Sequence, residues 1–294
     1  MKTVVFFAAL LSLAWAEPAL ADVTYKQETN MSSMIKRFNR KQTTVTRISG
    51  DKMRTESGRQ IQIVDLGEEK IYNLDSKKNS YSVMTFEEMK QRMKEAMVST
   101  KESVEQNKVG DVPDGSPRTD LKVTDTGNMD QIKGYSCRRY WIQMNASVEE
   151  KDGVQENQFS THTVLWLTKE APGVEEISSF HGQMAGKLGT AEIGAQMMAG
   201  ESNGANAFAV NMREMAREMT KLDGLTLRSV FYYGSADAVN RNVSSDSNEK
   251  EGADKDKNGE GLLMKMTTDI DDIHTEAVDP KLFAVPDHYK LVEQ

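Results

Sequence analysis

The chain has one cysteine, Cys137, among 294 residues. No internal disulfide can form, so the core must hold without covalent staples. Long hydrophobic runs are equally scarce: the longest, Val4 to Ala16, has 13 residues, short of the roughly 18 to 20 a membrane-spanning helix needs. Basic charge does not dominate either. The formal net charge is −8, which argues against generic nucleic-acid binding, since that requires a basic stripe. Catalytic signatures are missing as well. The four histidines, His162, His181, His274 and His288, form no HExxH and no i, i+4 pair, so a zinc site would have to be assembled from distant segments. No serine sits in GxSxG, and no glycine run matches a phosphate loop or dinucleotide fingerprint. With 45 acidic residues, chance carboxylate pairs are guaranteed and give no specific support to a hydrolase. These absences predict a non-enzymatic protein without a cofactor.

What is present begins with an export signal. Lys2 precedes the apolar run, and Ala19-Leu20-Ala21 supplies the small residues of a cleavage site. Residues 1–21 are therefore expected to be a cleaved signal peptide and the protein periplasmic or secreted. Asp22, where a lipoprotein would carry cysteine, predicts no lipid anchor. Residues 22–294 are expected to form a single domain with a substantial core.

From Asp22 to Met84, β-rich runs (TTVTRI, KMRTE, RQIQIVDL, KIYNL, SYSVM) alternate with turn residues such as Ser57-Gly58 and Asp75-Ser76-Lys77-Lys78-Asn79. This spacing predicts an antiparallel meander. Ile61 and Ile63 alternate with Gln60 and Gln62, as in a sheet with one buried and one wet face. At Thr85 the period changes to a helical one through Phe86, Met89, Met93, Ala96, Met97 and Val104, and Thr85 with Glu88 forms a capping box. The glycines and prolines of KVGDVPDGSPRTD end that helix. Strands follow at LKVTDT, CRRYWIQM and FSTHTVLWLT. A second helical region, interrupted by glycines, is expected over 183–222, where Phe208, Met212, Met215, Met219 and Leu222 recur at helical spacing. LTLRSVFYY reads as a strand, residues 235–261 as a mobile acidic loop, and GLLMKMTTDI with IHTEAV as closing strands.

Three features could carry function. Cys137 lies beside Arg138 and Arg139, which could activate a thiol, although free cysteine is commonly a small core residue. Its strand, with Cys137, Arg139, Trp141 and Gln143 opposed to Arg138, Tyr140, Ile142 and Met144, gives no pure face. Asp254, Asp256 and Asn258 match the first half of a calcium loop, but Lys265 stands where the bidentate glutamate belongs. A solvated turn is the simpler reading and no metal is assigned. Finally, nine of the 18 methionines lie on the expected helices. A Met-lined surface adapts to apolar ligands of different shape, or fills irregular gaps in a core.

The segments GDKMRTE (Gly50 to Glu56), KIYNLDSKKNSYSVM (Lys70 to Met84), IKGYSCRRY (Ile132 to Tyr140), VLWLT (Val164 to Thr168) and LFAVPDHYK (Leu282 to Lys290) resemble a family of uncharacterised secreted bacterial proteins with a periplasmic lipoprotein-carrier-like (LolA/LolB-like) fold. The resemblance implies an α+β architecture: a curved antiparallel half-barrel sheet with helices covering its concave face, and a space between them suited to acyl chains or an apolar partner segment. On that basis the expected partners are a lipid, a lipoprotein or an envelope protein. The ligand-lining candidates are Phe86, Met89, Met93, Met97, Phe208, Met212, Met215 and Met219 from the helices, with Trp141 and Trp166 from the sheet. The alternative expectation is a filled core whose outer surface serves as an envelope interaction or sensor module.

Overall fold

Two antiparallel meanders join into one open sheet where the chain's first strand meets its last long one. The computed structural model describes residues 21–95, 117–149, 155–189, 222–246 and 261–293. The first meander comprises β1 (Val23–Ser33), β2 (Arg40–Ser49), β3 (Lys52–Ser57), β4 (Gln60–Asp65), β5 (Lys70–Asp75) and β6 (Ser80–Thr85). The second comprises β7 (Pro117–Ile132), β8 (Tyr135–Glu149), β9 (Gln155–Thr168), β10 (Leu225–Ser235) and β11 (Leu262–Thr275). Antiparallel pairing of β1 with β11 fuses the two. The short β12 (Lys290–Leu291) adds parallel to β6, giving a mostly antiparallel sheet of 12 strands that does not close.

Among the described residues three α-helices accompany the sheet: α1 over residues 86–95, α2 (Val174–Leu188) and α3 (Ala236–Asp246). The capping box at α1 forms as the sequence predicts. Glu88 accepts from the Thr85 N–H at 2.6 Å and from its hydroxyl at 2.9 Å, while Thr85 Oγ1 accepts the Glu88 N–H at 3.1 Å.

Two expectations need correction. The helix expected to begin near Gln183 begins at Val174 and ends at Gly189, the first of the expected glycine interruptions, whose φ of 63° provides a left-handed cap; residues 190–221 of the expected region lie outside the described residues. Its start is hidden in the sequence because Gly173 caps it without any side-chain hydrogen bond. Its apolar stripe is Ile177, Phe180, Met184 and Leu188. The stretch after Ser235, expected to be a loop, instead opens with α3. Ser235 Oγ accepts the Ala238 N–H at 3.4 Å, and Ala238, Val239 and Val243 are buried. Three small apolar residues on one face suffice to dock this helix, although Asn, Ser and Asp dominate its composition.

The helices sit on opposite faces. Cross-strand register places Val23, Ile48, Met53, Val64 and Ile71 in one row, and this row packs with Ile177, Phe180 and Leu188 of α2 and with Phe86. On the other face, Val164, Val230 and Tyr232 pack with Ala238, Val239 and Val243 of α3. That second face is also covered by the C-terminal segment, where Leu282 accepts a 2.8 Å hydrogen bond from the buried Arg54 guanidinium. α1 and α2 therefore share one face of the sheet, and α3 lies on the other.

Candidate functional site

Along β1, the α2-covered face runs from Val23 through Tyr25, Gln27 and Thr29 to Met31, because alternate residues share a face and the β1–β2 register is uninterrupted. Past a polar row containing Thr29 and Thr268, whose hydroxyls lie 3.3 Å apart, the face becomes apolar again without becoming core. One row reads Val123, Ile142, Thr163, Phe231, Met266 and Met31; the next reads Leu121, Met144, Thr161, Tyr233, Met264 and Ser33. All twelve side chains are half-buried. At the ~4.8 Å spacing of neighbouring strands, six strands make a strip roughly 24 Å long. It is broad, apolar, punctuated by hydroxyls and rich in methionine, the side chain that adapts most readily to irregular apolar shapes.

The residues predicted for a ligand site divide between two places. Phe86 is sealed in the α2 core at 1% exposure, and Met89 packs half-buried against the same cluster. Met93 is half-buried further along α1. Trp141 and Trp166 lie on the opposite face, in register with Val164 and Arg139 respectively. Met97, Phe208, Met212, Met215 and Met219, and the calcium candidates Asp254, Asp256 and Asn258, lie outside the described residues. The strip methionines Met31, Met144, Met264 and Met266 were missed because their neighbourhood is set by register between distant strands.

The opposite face shows what the tryptophans do. Arg139 makes a bidentate pair with Asp130 at 2.6 and 2.7 Å. Trp166 Nε1 donates to the same carboxylate at 2.9 Å, and the guanidinium lies over the Trp166 ring. Trp141 meets His162 edge-on, with 5.4 Å between ring centroids. The indole N–H of Trp141 and both ring nitrogens of His162 are buried without a hydrogen-bond partner. Burial pushes the His162 pKa down to about 4, so the ring is neutral near pH 7. Cys137 is fully buried and its thiol is pushed up to about 11 by desolvation. Arg138 and Arg139 are directed to Asp125 and Asp130 instead. This is an unreactive core cysteine.

Elsewhere, Lys133 meets Asp271 at 2.6 Å beside a polar pocket of about 140 Å³ floored by Leu227 and Ile270, below the roughly 300 Å³ at which small-molecule sites usually begin. Among the described residues no group of three His, Cys, Asp or Glu side chains could hold a metal ion, and no helix is long and apolar enough to cross a membrane.

No protein-family model matches the chain, and no curated protein matches it. Against solved structures, PNGF-II superposes with a TM-score of 0.30 and 9% identity over 92% of this chain, which spans 31% of that one. A candidate outer membrane lipoprotein-sorting protein domain from Vibrio parahaemolyticus superposes with a TM-score of 0.26 and 7% identity over 91% of both chains. Superpositions this loose carry no inference about ligand or activity.

Proposed function

We propose that the protein is a non-enzymatic carrier or sensor of an apolar ligand, an acyl chain of a lipid or lipoprotein, held against the half-buried strip on the α2 face of the sheet. The observation that supports this reading is the pair of registered rows centred on Phe231, Tyr233, Met264 and Met266. A sheet face with no ligand to hold either buries such side chains fully, as the α2 core does, or replaces them with polar ones, as β2 does on this same face at Arg40 and Gln42, opposite Met31 and Thr29. An extended strip with a few hydroxyls among apolar side chains suits a long, weakly polar ligand better than a compact one.

The direct test is fluorescence titration with a long-chain fatty-acid probe. Replacing Phe231 and Met266 with Gln is expected to weaken binding by about tenfold or more, because each substitution puts an amide against the chain. Since both side chains are half-exposed, the fold should lose no more than about 1–2 kcal/mol. Unchanged probe affinity in a folded double variant contradicts the proposal.

A further inference from the structure

The far end of β1 carries an apolar, basic tip. Among the described residues six large apolar side chains are markedly exposed, and three of them lie within five residues: Met34 at 59%, Ile35 at 50% and Phe38 at 40%. The surrounding stretch, MSSMIKRFNRKQ from Met31 to Gln42, holds four basic residues, Lys36, Arg37, Arg40 and Lys41, and no acidic one, in a chain of net charge −8. The tip is also well built. Met34 N–H donates to the Leu263 carbonyl at 3.1 Å and Phe38 N–H to the Ile35 carbonyl at 2.9 Å. Ser33 N–H donates to Asn39 Oδ1 at 2.8 Å, and Ile35 N–H to Ser33 Oγ at 3.2 Å. The Arg37 guanidinium lies over the Phe38 ring, 4.9 Å from its centroid.

Among the described residues nothing buries the three apolar side chains of this turn, which stand beside Arg37 and Arg40 with Lys36 and Lys41 next in sequence, Lys41 being paired with Glu28 at 2.9 Å, so folding alone explains the turn poorly. It matches the chemistry of a bilayer interface, in which apolar groups enter the acyl boundary while Lys and Arg meet anionic headgroups. Ordering the turn beforehand lowers the entropy lost on docking. We infer that this tip docks the protein reversibly onto an anionic lipid surface. The tip adjoins the end of the apolar strip at Ser33 and Met264, so docking would place that end of the strip nearest the bilayer. The inference deepens the proposed ligand role but stands on its own observation.

The test is co-sedimentation of the purified protein with vesicles of phosphatidylcholine alone and of phosphatidylcholine mixed with phosphatidylglycerol. Binding is expected to the anionic vesicles only and to weaken as salt rises. Ile35→Ser with Phe38→Ser, and separately Arg37→Gln with Arg40→Gln, should each reduce the bound fraction by about tenfold, with unchanged circular dichroism and thermal midpoint. Failure of the wild type to bind anionic vesicles, or binding unaffected by both double variants, overturns the inference. So does sedimentation equilibrium showing that the apolar pair serves only self-association. Fatty-acid probe affinity, measured on the same variants, should not change; its absence in the wild type would defeat the ligand proposal while leaving vesicle docking intact.

Discussion

His162 is the residue whose surroundings have the clearest consequence for stability. Its ring is 4% exposed with both nitrogens unpartnered, and burial holds its pKa at about 4 against an ordinary value of 6.5. The unfolded chain therefore takes up the proton first. The stabilising difference is complete above about pH 6.5 and is lost progressively as pH falls towards 4, amounting to up to about 3 kcal/mol. His162→Leu is expected to flatten the acid limb in urea melts compared between pH about 7 and about 4.5; an acid limb as steep as the wild type's would show that this ring is not its source. The same face explains why Cys137 could not be oriented from its sequence. Arg139 shares the face with Cys137 and Trp141 but is neutralised by Asp130, a residue from the neighbouring strand. Alternation looked impure because the charge's partner lay outside the window being read.

At the level of elements, the strands from Arg40 to Thr85 were legible because turn residues punctuate them, and α1 because Thr85 and Glu88 announce it. The helices α2 and α3 were not, for two different reasons. α2 starts on a glycine that offers no side-chain cap, and its placement depends on close approach to the sheet. Gly173 has φ 76°, and a Cβ there would sit 2.5 Å from Val23 Cγ2, a buried β-branched side chain with little room to move. Gly173→Ala should therefore destabilise the protein by roughly 2 kcal/mol or more, from left-handed backbone strain and steric overlap together. Equilibrium denaturation checks this, and a midpoint equal to the wild type's would show that α2 does not depend on that approach. α3 was obscured by polarity: its docking surface is only Ala238, Val239 and Val243, while the composition of the whole stretch resembles a loop.

For the whole molecule, the decisive fact is the pairing of β1 with β11, from Val23 opposite Thr275 to Ser33 opposite Met264. β1 itself, VTYKQETNMSS, is polar enough that its central place in the sheet comes from tertiary pairing more than from propensity. That pairing brings Met31 beside Met266, and β10 adds Phe231, so the candidate strip exists only in the assembled sheet. Helical methionines announce themselves through a 3.6-residue period, but strand methionines from distant segments have no comparable signature. The residues named from the sequence therefore differ from those of the candidate strip, and five of them, Met97, Phe208, Met212, Met215 and Met219, lie outside the described residues. The most direct test is native mass spectrometry of the protein purified from its cellular source, followed by organic extraction and lipid analysis. The account predicts a stoichiometric acyl-chain ligand that the Phe231→Gln, Met266→Gln variant loses. A clean ligand-free mass that persists after incubation with envelope lipids would contradict it.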